Sequence, residues 1–255
     1  MSISEKEIDE IIESLLRMTP SQLHWVKSAI KAFGAVQEFG RAPDSDVVTD
    51  AVLASFGDRL LSHHAGSRQA LSKDRFEFAF EEALQAAGIQ AQLVQSRTNR
   101  GHDINIGGIP VSLKTEAAAN IKDDLIHISK WMELGRGEWK LSLLLNLFLE
   151  HMQSYDRIFT LRRLKDVDDK IRYELVEIPK KLMLEAANCE LEIRTNSKQI
   201  PQPGYGYVRD AVGNLKYELY FDGGTERKLQ IKHLRKELCK VHAHWIFQRP
   251  FNNLL

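Results

Sequence analysis

The stretch Gly101-His-Asp-Ile-Asn-Ile-Gly-Gly-Ile-Pro-Val-Ser-Leu-Lys-Thr-Glu116 leaves the chain few conformational choices. Two short alternating runs flank Gly107-Gly108, a dipeptide suited to the positive-φ positions of a two-residue hairpin turn. With those glycines as the loop, Ile106 faces Ile109, Asn105 faces Pro110, Ile104 faces Val111 and Asp103 faces Ser112. Directly opposed residues share a face. Ile104, Ile106, Ile109, Val111 and Leu113 therefore fall on one side, and Asp103, Asn105, Ser112, Lys114 and Glu116 on the other. Pro110 lands in a non-hydrogen-bonded pair, where its missing N–H costs the hairpin nothing. Lys114 becomes the diagonal neighbour of Asp103, roughly 7–8 Å away at Cα. Alternation of this kind also describes any half-exposed antiparallel pair with a solvated outer face.

The flanking sequence predicts helices on both sides of this hairpin. Ser4-x-x-Glu7 is a capping box ahead of Ile8, Ile11, Ile12, Leu15 and Leu16, and Thr19-Pro20 opens a second helix carrying Trp25, Ile30 and Phe33. After a looser stretch at Gly40–Asp44, another helical region runs to His64. This front end reads as packing or dimerisation material, and its acidic first helix is a poor nucleic-acid surface. Residues 71–87 form the clearest helix, capped by Ser72 and ended by Gly88, with Phe76, Phe80 and Leu84 as its apolar stripe and Glu77 and Glu81 on another face. A strand at 89–96 follows, then a polar loop holding Arg97 and Arg100. Downstream, 120–134 has a helical pattern, with Asp123 and Asp124 in its first turn. The apolar run 141–149 predicts a buried helix, 155–164 and 171–178 predict two strands, and Pro179 opens a short helix. The order helix, strand, hairpin, helix, strand predicts an α/β core with helices on a sheet.

Asp, a hairpin, then x-Leu-Lys resembles the active-site signature of the PD-(D/E)XK nucleases, the fold of most type II restriction endonucleases. The resemblance covers about residues 70–180. It implies a restriction-endonuclease-like core, a central mixed sheet flanked by helices. Its catalytic aspartate would be Asp103 and its lysine Lys114. His102 stands where the family often has proline, and Ser112 stands where the second acid usually sits. Some members supply that carboxylate from another element, and a helix preceding the hairpin often points a glutamate at the metal site. Glu77, Glu81 or Glu116 could then provide the missing charge. Under this resemblance Mg²⁺ is held by Asp103, the Leu113 carbonyl and Glu77 or Glu81, while Ser112 holds a metal-bound water. Lys114 orients or deprotonates the attacking water and offsets charge on the phosphate. The absent acid at Ser112 also admits a DNA-binding module with an inactive site.

Charge limits how DNA could be held. Lys plus Arg equals Asp plus Glu at 35 each, so no global basic field exists and a polyanion needs a local patch. The best candidate lies in the β-rich last quarter, where 216–221 and 228–231 predict a second hairpin. Arg227, Lys228, Lys232, Arg235, Lys236 and Lys240 cluster there beside Tyr207, Tyr217, Tyr220 and Trp245. Arg97 and Arg100 are further candidates for phosphate contact, although lone loop arginines are usually just solvated. Cys239-x-x-His242-x-His244 offers sulfur and imidazole for zinc, but no fourth ligand is evident and the spacing matches no standard finger.

Cys189 and Cys239 give no disulfide framework, the start lacks a basic and apolar leader, and the longest apolar run is too short to span a bilayer. These features predict a cytoplasmic protein. The division expected is a helical region at 1–70, a nuclease-like α/β core at 71–200, and a β-hairpin with a basic segment at 201–255 packed as one unit with the core. The reading as a whole is a Mg²⁺-dependent type II restriction endonuclease acting on double-stranded DNA, a homodimer by analogy with the family.

Overall fold

The computed structural model describes residues 4–94 and 101–249. Its elements, in chain order, are α1 (Glu5–Leu16), α2 (Pro20–Phe33), β1 (Gln37–Arg41), α3 (Asp50–Gly66), α4 (Lys73–Ala86), β2 (Ala91–Leu93), β3 (Ile104–Ile106), β4 (Ile109–Glu116) and β5 (Leu125–Glu133). Then come α5 (Leu141–His151), β6 (Arg157–Val167), β7 (Lys170–Glu177), α6 (Lys180–Leu184), β8 (Glu190–Ile193), β9 (Gly204–Arg209), β10 (Leu215–Asp222), β11 (Lys228–Arg235) and β12 (Lys240–Gln248).

The hairpin forms in the register its alternation requires: Ile104 opposes Val111, Asn105 opposes Pro110 and Ile106 opposes Ile109. Gly107 and Gly108 both take positive φ, +58° and +84°, which a side chain would resist. The hairpin belongs to a mixed seven-stranded sheet ordered β1-β12-β7-β6-β4-β3-β2, in which β4 and β6 run parallel and the other pairs antiparallel. A second, antiparallel sheet is ordered β5-β11-β10-β9-β8. The α/β architecture with a mixed sheet flanked by helices is the one the chain order predicts.

Two cores divide the molecule. One face of the large sheet gives Val111, Leu113, Phe159, Tyr173 and Trp245 to a core shared with α3 and α4 through Phe56, Phe76 and Phe80. The other face gives Ile158 and Val176 to a core shared with α5 and the smaller sheet through Phe148, Leu219 and Ile231. Because both faces of β4 are covered, its polar residues are buried as well: Ser112, Lys114 and Glu116 are 1%, 7% and 5% exposed. No solvated outer face exists along that strand.

Residues 120–134 do not form the predicted helix. Leu125, Ile128 and Met132 recur at helical spacing, but the β-branched Ile126 and Ile128 also alternate, and pairing with β11 selects the strand β5. A shift in register between Leu229 and Ile231 absorbs the mismatch, and Trp131 is buried beyond it. Asp123, expected in a helix's first turn, instead pairs with Arg172 at 2.7 Å. The last quarter separates: β9, β10 and β11 enter the smaller sheet, while β12 lies between β1 and β7 in the large one. Among the described residues, no helix is long and apolar enough to cross a membrane.

One buried histidine is expected to make the fold acid-sensitive. His64 is fully buried, Nδ1 2.9 Å from the Ser67 carbonyl and Nε2 3.0 Å from the Tyr173 hydroxyl. The carbonyl requires Nδ1 to donate, so the neutral ring accepts at Nε2. Burial lowers its pKa from 6.5 to about 4. Between those values the unfolded chain holds the extra proton, so stability falls as pH drops through the window, by about 3 kcal/mol from this group. Urea unfolding is expected to show a shallower slope between pH 6.5 and 4.5 in His64→Gln than in the parent; equal slopes would exclude His64 as the cause.

Candidate active site

The catalytic geometry begins where β3 starts and β4 passes beyond it. Asp103, just before β3, sends its backbone N–H to the Val111 carbonyl at 2.9 Å, which fixes its side chain against β4. Oδ2 accepts the Leu113 N–H at 2.6 Å and the Ser112 hydroxyl at 3.2 Å. Oδ1 accepts from Lys73 Nζ at 2.8 Å, at the first turn of α4. The same ammonium meets Glu77 at 2.9 Å, one turn along that helix. Two carboxylates thus converge on one cation-sized position. Lys73 carries no signal in the sequence, because its partner lies 30 residues away.

Lys114 projects from β4 into the same region, between Asp103 and the smaller sheet. It stands in register with Thr160, as Ser112 does with Ile158 and Glu116 with Arg162. Its Nζ lies 5.6 Å from the centroid of the Trp131 ring. Burial lowers its pKa to about 8, although the Asp103 carboxylate favours the charged form. Burial acts on Asp103 in the opposite sense, but Lys114, Lys73 and the Leu113 N–H outweigh it and hold the carboxyl below its ordinary range. Glu77 is raised by burial, which Lys73 only partly offsets. Burial disfavours charge on Lys73, yet Asp103 and Glu77 leave its pKa raised.

A cleft of about 850 Å³ has Lys73, Asp103, Lys114, Trp131 and His151 in its wall, and Glu77 reaches its edge through Lys73. His151, at the end of α5, is a member the sequence did not single out. Its Nε2 is buried without a hydrogen-bond partner among the described residues. Burial, then the charge on Lys114, lowers its pKa to about 4, so the ring is neutral and Nε2 can accept a hydrogen bond from a water.

The remaining sequence candidates are distributed elsewhere. Ser112 donates to Asp103, so it holds that carboxylate in place. Leu113 turns its N–H toward Asp103; in a strand, its carbonyl faces the same edge. Glu81 accepts the Leu93 N–H at 2.7 Å and thereby ties α4 to β2. Glu116 lies outside the cleft: Oε2 meets Arg162 Nε at 2.5 Å and Oε1 accepts the His127 N–H at 2.9 Å. Arg97 and Arg100 lie outside the described residues. In the basic segment, Lys228 pairs with Glu226, Arg235 with Glu237, Lys236 with Glu174 and Lys240 with Asp44. Lys232 sits 3.5 Å from the centroid of the Tyr220 ring. Arg227 donates to the Gly137 carbonyl at 3.1 Å. Most of this charge is therefore neutralised locally.

The donor chemistry fits a hard divalent cation. Asp103 and Glu77 offer carboxylate oxygens around a position already suited to a positive charge, and the Leu113 carbonyl adds a neutral oxygen at the same edge. A second cluster, Asp46, Glu177 and His242, brings its ligand atoms within 4.8 Å of one another. There Arg157 already contacts Glu177 at 2.7 Å and Asp46 at 2.8 Å, so a guanidinium supplies the compensating charge. Of the zinc alternative, His242 lies instead against Glu177 and Ser45, each at 2.8 Å.

The family model for SmaI, described as a type II site-specific deoxyribonuclease, matches residues 12–247. The type II restriction enzyme SmaI of Serratia marcescens is 53% identical over 234 residues, which span 92% of this chain and 93% of that one.

Proposed function

Because the chain belongs to the SmaI family of type II site-specific deoxyribonucleases, we propose that Asp103, Lys114 and Glu77 are the centre with which it hydrolyses phosphodiester bonds of double-stranded DNA, using Mg²⁺. The activity itself follows from the family: the chain is a restriction endonuclease, and the reading as an inactive DNA-binding module is set aside. The observation that supports this centre is one cleft lined by an aspartate and a buried lysine, with a second carboxylate tied to the aspartate through their shared partner Lys73. Enzymes of this class generally use a divalent metal, and Asp103, Glu77 and the Leu113 carbonyl are the residues we assign to it. When bound, Mg²⁺ supplies Lewis acidity toward the phosphate and acidifies its water.

The protein's own groups do the rest. Lys114, dry and close to its charge transition, holds the attacking water and offsets the extra negative charge of the phosphate. His151 Nε2 accepts a hydrogen bond from that water. Ser112 and the Leu113 N–H keep Asp103 in one rotamer, so the carboxylate needs no reorganisation during the reaction. Lys73 keeps Asp103 and Glu77 together, the two carboxylates that would hold the divalent cation. Glu81 and Glu116 serve the scaffold.

Removing the divalent ion with a chelator is expected to abolish plasmid cleavage, and Asp103→Asn to keep it abolished when Mg²⁺ is restored. Gel analysis of plasmid with and without Mg²⁺ reads both; linear product from Asp103→Asn at the parent rate would overturn the assignment.

Cutting both strands calls for two such centres, and we assign α1 and α2 to a homodimer interface. No residue of α1 is buried, and Ile11, Leu16, Trp25 and Ile30 are all exposed. Light scattering is expected to give twice the 29.2 kDa chain mass, falling to one chain in Ile11→Lys/Leu16→Lys. A dimer unaffected by that change would move the interface elsewhere. Both cysteines are free, as suits the reducing cytoplasm in which we place the enzyme.

A further inference from the structure

A groove of about 960 Å³ adjoins the catalytic cleft, and the two share Glu133 and Gly135 in their walls. One side of the groove is the loop after β5, and the other is made by the turns that carry Gln199 and Thr225. The loop is held from several points. The Leu134 N–H donates to the Arg227 carbonyl at 2.7 Å, and Arg227 Nη1 donates to the Gly137 carbonyl at 3.1 Å. The Arg227 guanidinium lies 5.5 Å from the Trp139 ring centroid, and Trp139 Nε1–H donates to the Gln202 carbonyl at 2.8 Å. Gly135 takes φ +68°, which lets the chain turn there without strain.

Arg136 sits at the tip, between Gly135 and Gly137. It is exposed and has neither an ion pair nor a hydrogen bond among the described residues. Its cationic neighbour Lys130 is compensated by Glu133 at 2.8 Å, and Lys228 by Glu226 at 3.1 Å. An unpaired guanidinium on a fixed backbone is a reader already set in position, since little order remains to be imposed on binding.

We infer that this groove receives base edges of the duplex next to the scissile phosphate, and that Arg136 is a specificity-determining residue reading one of them. The inference rests on the Asp103–Lys114 centre as the position of that phosphate. The lining favours bases over backbone: a phosphate track would be uniformly basic, whereas this one mixes Lys130, Arg136 and Arg227 with Glu133, Glu226, Gln199 and Thr225. In the major groove, a two-pronged arginine matches the O6 and N7 acceptors of guanine, and carboxylates match the amino group of cytosine.

The test is selection of cleaved sequences from a randomised duplex pool, followed by single-turnover rates on the preferred duplex and its single-pair variants. Arg136→Ala is expected to cut the preferred duplex about ten- to a hundredfold more slowly and to lose discrimination at one symmetric pair of positions only. Arg136→Lys is expected to do the same, because an ammonium keeps the charge but lacks the fork. An equal loss on every sequence would make Arg136 a phosphate contact and overturn the inference, as would unchanged selectivity in both variants. Arg136 is exposed, so both variants are expected to melt with the parent. Lys114→Ala provides the separate control: if it still cuts, the catalytic centre is misassigned while the Arg136 result stands.

Discussion

Lys114→Ala is expected to slow duplex cleavage by about a thousandfold or more while leaving affinity for the preferred duplex nearly intact. The reasoning starts from burial. Lys114 is 7% exposed and has Trp131 beside it, so water does little to screen its charge. A positive group in such surroundings acts most strongly on the charge that develops on the phosphate, which appears only as the reaction proceeds. Binding draws on many contacts and the transition state on few. The same removal should therefore divide the two measurements: filter binding in Ca²⁺ near the parent value, single-turnover cleavage in Mg²⁺ close to background. A variant that cuts at a tenth of the parent rate would mean that another group does this work.

Arg162→Met is expected to cost about 3–5 kcal/mol of stability. The guanidinium is fully buried and contacts two acids, Glu116 at 2.5 Å and Glu174. It also donates to the carbonyls of Lys122 at 2.6 Å and Leu125 at 2.7 Å. Its loss leaves Glu116 without a charged partner and Glu174 with Lys236 alone, and it frees the start of β5, the strand that carries Trp131 to the cleft. Adding Glu116→Gln and Glu174→Gln should recover part of the loss, since most of it is the expense of charge left without a partner. Urea unfolding of the single and triple variants measures both. Equal stabilities would show that the burial of uncompensated charge is not the reason.

These two residues mark where sequence reasoning reaches and where it stops. Asp103, Lys114 and the register between them were legible because a hairpin is local: a Gly-Gly turn and a period of two decide it without help from distant residues. Lys73 and Arg162 act through partners 30 and 46 residues away, and no local pattern encodes such a pairing. The 125–133 segment satisfied two periodicities, and an edge of β11 decided between them. The cluster of C-terminal cations was visible as a count, but the acids that neutralise it come from other elements. Arg136 drew no attention because one arginine between glycines looks like any loop; its lack of a partner emerges only when every neighbour is in place.

The insertion of β12 between β1 and β7 bears on how the protein is made. Trp245, fully buried, packs its ring 4.9 Å from that of Phe56 on α3, so nearly two hundred residues separate two halves of one contact. The strand β1 has no neighbour to join in that sheet until β12 has been made. Completion of the large sheet should thus be a late event in folding, since β1 must wait for β12 before its place in the sheet is fixed.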